Sequence, residues 1–254
     1  MNLLNALSIT NTDIVALVGG GGKTTAMFRL AAEIVASGGR ALTTTTTRIF
    51  ATQIKLAPAY LLAAEATREK ISAALDVHKQ LLVIGELESS SGKAMGVSVE
   101  FVAQLRHDFP NAPILIEADG SRMRPFKAPA AHEPVIPPET TQVIIVVGAD
   151  ALGQPLTDEH VHRAEIVSQL TGAPLGRPLT PEIIARTLTH PNGGLKNIPP
   201  QAKVSVLINK TDVLENWAGV EALEWELLEN WRIKRVVLAA LKIGQILKIS
   251  RYNK

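Results

Sequence analysis

The stretch Val18-Gly19-Gly20-Gly21-Gly22-Lys23-Thr24-Thr25 decides how this chain is read. An apolar run, Ile14-Val15-Ala16-Leu17-Val18, leads into it, and a helical pattern from Ala26 to Val35 leads out. Strand, glycine loop and helix in that order make a phosphate cradle. Glycines let the backbone curl with its N–H groups inward, and the helix N-terminus adds positive dipole. Gly19, Gly20, Gly21, Gly22 and Thr25 then line the cradle, Lys23 reaches the terminal phosphates, and the Thr24 hydroxyl is placed to ligate Mg²⁺. The spacing G-x-x-x-x-G-K-[ST] is met only in part, because its first glycine falls on Leu17. A plain turn needs one or two glycines, and further ones carry entropic cost. A dinucleotide fingerprint fits worse: started at Gly19, its third glycine would be Thr24, and threonines stand where a ribose-binding acid belongs.

The chain has 254 residues, 46% of them hydrophobic and 20% charged, which suits one large α/β domain spanning 1–254. A formal charge of +2 gives no broad basic surface for nucleic acid. No apolar run approaches the ~20 residues that span a bilayer. The first residues lack the basic segment and apolar core of a signal peptide, so the expected location is cytoplasmic. There is no cysteine, which excludes disulfides, thiolate metal sites and cysteine nucleophiles.

Along the chain, Ser37-Gly38-Gly39 stops the first helix, and Arg40 to Arg48 forms a second strand through five consecutive threonines, Thr43 to Thr47. In a parallel sheet the carboxyl ends of strands converge on the ligand crevice. The later threonines are therefore either phosphate or Mg²⁺-water contacts, or simply hydroxyls of a half-buried strand. Ala63 to Leu75 reads as helix, Gln80 to Gly85 as buried strand, Glu86 to Gly96 as exposed loop, and Ser98 to Asp108 as helix. Gln142 to Gly148 is a further strand. Thr157-Asp158-Glu159 reads as a helix start carrying His160 and His162, whose spacing of two is poor for a shared metal. Thr180-Pro181 opens another helix. Trp217 to Trp231 reads as an amphipathic helix, Arg235 to Leu241 as the last strand, and Ile246 to Lys254 as a short helix or tail.

Two stretches add chemistry. In Ile114-Leu115-Ile116-Glu117-Ala118-Asp119-Gly120 a strand ends in two acids. Alternation puts Glu117 and Asp119 on one face, where two buried carboxylates call for a cation. Beside a phosphate loop that cation is Mg²⁺; Asp-Gly is also an ordinary turn dipeptide. Arg122, Arg124 and Lys127 follow, either stabilising charge on a phosphoryl group or standing as solvated surface charges. His132-Glu133 either positions a water or binds metal or, as a lone histidine beside proline, is structural. The second stretch, Lys203 to Asp212, is a strand ending in Asn209-Lys210-Thr211-Asp212. A carboxylate at Asp212 accepts from both the ring N–H and the exocyclic amine of guanine, which adenine cannot match. Lys210 can lie along the base and Asn209 can brace the loop.

Taken together, GGGGKTT, TTTT-R-I, EADGS…KAP…HEP…IP and NK-x-D resemble P-loop NTPases of the SIMIBI class and, more narrowly, the selenium-dependent hydroxylase accessory (YqeC-like) family. The resemblance runs from about residue 10 to 215. It implies a three-layer P-loop NTPase fold, a mostly parallel central sheet flanked by helices. It also implies a role in maturing a molybdenum hydroxylase, the client enzyme. A homodimer is compatible with it. The second lysine that many SIMIBI ATPases use across a dimer is here Val18, so activation in trans by that residue is not available.

The expected activity is Mg²⁺-dependent hydrolysis of GTP, with ATP left open. Lys23 neutralises phosphate charge, Thr24 with Glu117 or Asp119 holds the metal, and a carboxylate or a threonine hydroxyl orients the water. A P-loop kinase acting on a small molecule or cofactor precursor is the alternative, and a non-enzymatic nucleotide-binding scaffold a third reading.

Overall fold

Unbroken apolar and β-branched runs become the interior of one sheet. The computed structural model describes residues 1–88, 92–214 and 217–253. Among these, nine strands lie side by side: β1 (Ile14–Gly19), β2 (Ala41–Thr45), β3 (Tyr60–Leu62), β4 (Gln80–Ile84), β5 (Ile114–Glu117), β6 (Gln142–Gly148), β7 (Lys203–Asn209), β8 (Ile233–Ala240) and β9 (Gln245–Arg251). Their spatial order is β9-β8-β7-β6-β1-β5-β2-β4-β3. Every neighbouring pair is parallel except β8 with β9. The glycine-loop strand β1 thus occupies the middle of the sheet.

Among the described residues seven helices flank it: α1 (Leu3–Leu7), α2 (Lys23–Ala36), α3 (Arg68–His78), α4 (Val99–Asp108), α5 (Ala164–Thr171), α6 (Pro181–Thr189) and α7 (Ala218–Leu228). Alternation along β1 sorts the two faces. Val15 and Leu17 pack with Leu3 and Leu7 of α1 and with Met27 and Leu30 of α2. Ile14, Ala16 and Val18 point the other way, into a larger cluster with Leu75 of α3, Leu105 of α4, Val167 of α5, Leu188 of α6 and Leu223 of α7. Each such fully buried side chain contributes about 1.5–3 kcal/mol. The result is the expected three-layer α/β fold, lopsided, with two helices on one face and the rest on the other.

Local signals set the helix starts. The Ser98 hydroxyl accepts from Phe101 N–H at 3.2 Å, and Thr180 accepts from Ile183 N–H at 3.3 Å with Pro181 at the first helical position. Elsewhere the structure departs from expectation. No helix starts at Thr157: residues 157–160 are turns, Val161–His162 is a short strand paired with Phe126–Lys127, and α5 starts only at Ala164. Asp158 does act as a cap, but for the Ala164 N–H, at 3.2 Å. The chain end is a strand, β9, not a helix or tail. Residues 60–62 form edge strand β3, so the helix expected from Ala63 begins at Arg68 behind a Thr67 cap. In the expected loop 86–96, Leu87–Glu88 and Lys93–Ala94 pair as short strands; residues 89–91 lie outside the described residues.

Because neighbours run parallel, the carboxyl ends of β1, β2, β5, β6 and β7 share one edge of the sheet. Leu17 and Thr45 both register with Glu117, Gly19 with Val146, and Gly148 with Asn209. That edge carries the candidate site.

Candidate functional site

The glycine loop is built into its neighbours. Gly21 and Gly22 have φ of 80° and 125°, a region that side chains with a Cβ rarely enter. A Cβ on Gly21 would also run into the Gly148 amide. Gly20 N–H donates to Val146 O at 2.9 Å and Gly21 N–H to Arg124 O at 3.1 Å, so the segment after Gly120 lies across the loop. Arg124 therefore meets the loop through its backbone carbonyl. Asn209 braces the far side: its Nδ2 donates to Gly21 O at 2.9 Å, and its Oδ1 accepts from Leu241 N–H at 3.1 Å. No side chain caps α2, which leaves its first-turn N–H groups for an outside acceptor.

At the start of α2 the expected acids and cation meet. Lys23, 3% exposed, places Nζ 2.6 Å from Gly19 O, 3.2 Å from Asp119 Oδ1 and 3.8 Å from Glu117 Oε1. Burial pulls the Lys23 pKa down, but Asp119 and Glu117 outweigh it and hold the ammonium above the usual lysine value. Burial likewise pushes the Glu117 pKa up, only partly offset by Lys23 and Thr24. Asp119 accepts the Gly19 N–H on both oxygens, at 3.1 and 3.0 Å. The Thr24 hydroxyl donates to Glu117 Oε2 at 2.7 Å. Thr24, Glu117 and Asp119 thus converge as hard oxygen donors, with an ammonium already among them as the compensating cation. That is a donor set suited to Mg²⁺. Among the described residues no group of three or more His, Cys, Asp or Glu is arranged to hold a metal. A metal here would take few protein ligands.

Behind these acids lies a network that sequence reasoning missed. Lys127 is buried and donates to Gly120 O at 2.6 Å and Glu133 Oε2 at 2.6 Å, with Asp119 Oδ2 3.0 Å away. Arg163 grips Glu133 with both Nη atoms, at 2.7 and 3.1 Å. Burial pushes the Glu133 pKa up, but Arg163 and Lys127 outweigh it and hold it at about 2. Beside them, burial together with Arg163, Lys127 and Arg122 drives His162 down to about 4, so its imidazole is neutral at pH 7. Lys127 is not a solvated charge, and Glu133 anchors it. Only the alternation of a strand at 126–127 could have signalled an inward lysine.

A cavity of about 530 Å³ opens over this floor, lined by Gly21 to Thr25, Glu117, Arg122, Glu133, His162, Arg163 and Lys210 among others. Arg122, Met123, Arg163 and Lys210 are non-glycine residues with positive φ, and all line it. Such backbone strain gathers at functional sites. Lys210 reaches Asp150 Oδ2 at 2.7 Å. Asp212 is exposed in the turn after β7 and does not line the cavity. His160 stays outside it too, and His132 stands exposed with Nε2 4.0 Å from Glu133 Oε1.

The threonine run has a different job from the phosphate contact entertained for it. Thr43 and Thr44 donate to Leu81 O and Val83 O at 3.2 and 2.7 Å, Thr45 to Glu117 O at 2.9 Å, and Thr46 to Val135 O at 2.6 Å. These hydroxyls tie β2 to its neighbours. From this side Gln53 reaches Thr24 directly: its Nε2 donates to Thr24 Oγ1 at 2.9 Å.

The chain is similar to known proteins. The family described as YqeC protein matches residues 15–165, from β1 to the start of α5. That span holds Lys23, Glu117, Asp119, Lys127, Glu133 and Arg163, while Asn209 to Asp212 lie beyond it. The uncharacterized protein YqeC of Escherichia coli (strain K12) is 36% identical over 129 residues, 51% of this chain; the match spans about half, 50%, of that relative's length. A crystal structure of FlhF complexed with GTP/Mg(2+) aligns with a TM-score of 0.39 and 13% identity, covering 94% of this chain and 70% of that one. A likeness that low carries no argument.

Proposed function

The chain belongs to the YqeC family, and from that premise we propose that it is a Mg²⁺-dependent P-loop nucleoside triphosphatase, a GTPase that assists maturation of a molybdenum hydroxylase. The observation that carries the enzymatic part is the meeting of Lys23, Thr24, Glu117 and Asp119 beneath an uncapped helix N-terminus. In this reading Gly19 to Thr25 hold the phosphates by backbone N–H groups and helix dipole. Lys23 turns from Gly19 O to the phosphates and neutralises them. Thr24, Glu117 and Asp119 would hold Mg²⁺, which when bound would neutralise phosphate charge. Glu117 or Asp119 orients the attacking water. Asn209 fixes the loop against β7, and Asp212 reads guanine once the turn after β7 closes on the base. The accessory role and the client enzyme rest on the motif resemblance alone.

The kinase alternative draws support from the cavity, which continues past α2 to a basic wall. One assay separates the two: incubation with GTP and Mg²⁺, following the γ-phosphate. Free phosphate that disappears in Lys23→Ala is expected; phosphate found only in an organic product sinks the GTPase. For the base, GDP should bind more tightly than ADP, and Asp212→Asn should erase the difference. Equal affinities in the unaltered chain would remove Asp212 from the site.

A further inference from the structure

The cavity over the glycine loop has a second wall that the nucleotide assignment leaves unused. A three-stranded patch pairs Ile49–Phe50 with Lys93–Ala94, and Lys93–Ala94 with Leu87–Glu88. Phe50 stands directly across from Lys93. Their neighbours in register, Ile49 and Ala94, alternate onto the other face and join a small buried cluster, with Ile49 also reaching the cavity. Arg48, Phe50 and Lys93 therefore share the face that lines the cavity, and Arg122 and Met123 line it from the turn after Gly120. Glu88 lies across from Lys93 in the third strand. Among the described residues neither Arg48 nor Arg122 has a carboxylate within ion-pair distance.

Two further observations mark this wall as more than surface. Arg122 and Met123 are consecutive left-handed residues, with φ of 49° and 62°, an arrangement unfavourable for side chains with a Cβ. It leaves Met123 83% exposed at the cavity mouth, opposite a half-exposed Phe50. The wall is also tied to the phosphate end: Phe50 N–H donates to Gln53 Oε1 at 2.9 Å, and Gln53 Nε2 donates to Thr24 Oγ1 at 2.9 Å. One glutamine separates the wall from the threonine assigned to the metal.

We propose that this wall is a second anion subsite, which holds a small phosphate-bearing molecule with a flat apolar portion while nucleotide occupies the glycine loop. The guanidinium forks of Arg48 and Arg122 suit phosphate oxygens, and Phe50 and Met123 suit a ring. A recess shared with the loop suits a small molecule better than a protruding protein segment. The proposal rests on the nucleotide reading only for what fills the loop.

Phenyl phosphate is the probe. Calorimetric titration into the full chain saturated with GDP and Mg²⁺ should show binding that weakens about tenfold or more in Arg48→Ala/Arg122→Ala. GDP affinity and the melting temperature should stay unchanged in that variant, since both side chains are exposed. Inorganic phosphate should bind more weakly than phenyl phosphate, and Phe50→Ala should remove the difference. In Lys23→Ala, GDP binding should vanish while phenyl phosphate still binds. Equal phenyl phosphate affinity in the arginine variant, or none in the unaltered chain, overturns the subsite. So does an acidic peptide that binds where phenyl phosphate does not, which would make the wall a protein-docking face. Loss of GDP binding alone, in the unaltered chain, would instead sink the nucleotide reading, and phenyl phosphate binding in Lys23→Ala would still report on the wall.

Discussion

Replacing Lys127 by methionine keeps most of the side chain's volume and removes its charge. The ammonium serves three oxygens: Gly120 O at 2.6 Å, Glu133 Oε2 at 2.6 Å and Asp119 Oδ2 at 3.0 Å. Removing one partner of a buried ion pair destabilises by about 3–5 kcal/mol, because the opposite charge is left uncompensated. Here each acid keeps another cation, Lys23 for Asp119 and Arg163 for Glu133. The lower end, about 3 kcal/mol, is therefore expected. For a chain of this size, about 2–4 °C of melting temperature per kcal/mol makes that a drop of roughly 6–12 °C. Scanning calorimetry at pH 7 measures it directly. Adding Glu133→Gln tests the coupling, because neutralising the acid that lost its lysine should recover part of the loss. A drop under about 2 °C, or strictly additive losses in the double variant, would refute the buried network.

Acid stability should carry two signatures of the same cluster. Glu133, held near 2 against a usual 4.5, contributes stability that is full above pH 4.5 and lost as pH falls toward 2. His162, held near 4 against a usual 6.5, stays neutral in the fold, so its share is full above pH 6.5 and lost as pH falls toward 4. Arg163→Gln weakens both shifts, and urea midpoints measured at pH 7, 5 and 3 should fall less steeply than in the unaltered chain; an identical slope would count against the assignment. Asn209→Ala leaves Gly21 C=O and Leu241 N–H buried without partners, a loss of roughly 2–6 kcal/mol at about 1–3 per group. Urea unfolding with an unchanged slope and a lowered midpoint is the expected record, and a shift below ~0.5 kcal/mol would show that the brace is dispensable.

Much of this architecture was legible in the sequence because it is local. The apolar run before Gly19, the glycines, and the strands ending in Glu117 and Asn209 each announce themselves within ten residues, and parallel pairing then carries them to one edge. Capping at Ser98 and Thr180 is equally local. What was hidden depends on partners far away in the chain. Glu133 and Arg163 lie 30 residues apart, and nothing in either neighbourhood says that they face one another. The helix misread at Thr157 shows a related limit. Asp158 caps a helix as its chemistry suggests, but six residues on, because Arg163 takes a left-handed conformation first. Strand β9 was obscured by Lys248 and Arg251, polar residues that an edge strand tolerates and a buried one would not. For the threonines the sequence left two readings open, and the strand-hydroxyl one holds because inside a sheet a hydroxyl's nearest acceptor is the carbonyl of the next strand.

The position of Lys23 has a consequence for any ligand of the loop. Without one, its ammonium is already the counter-ion of Asp119 and Glu117 and a donor to Gly19 O. The loop is thus a closed electrical circuit rather than an open positive hole. An anion that draws Lys23 away leaves Glu117 without its ion pair and Asp119 with Lys127 alone, whereas one that arrives with its own divalent ion replaces the charge it removes. By linkage, ligand and ion then strengthen each other's binding reciprocally.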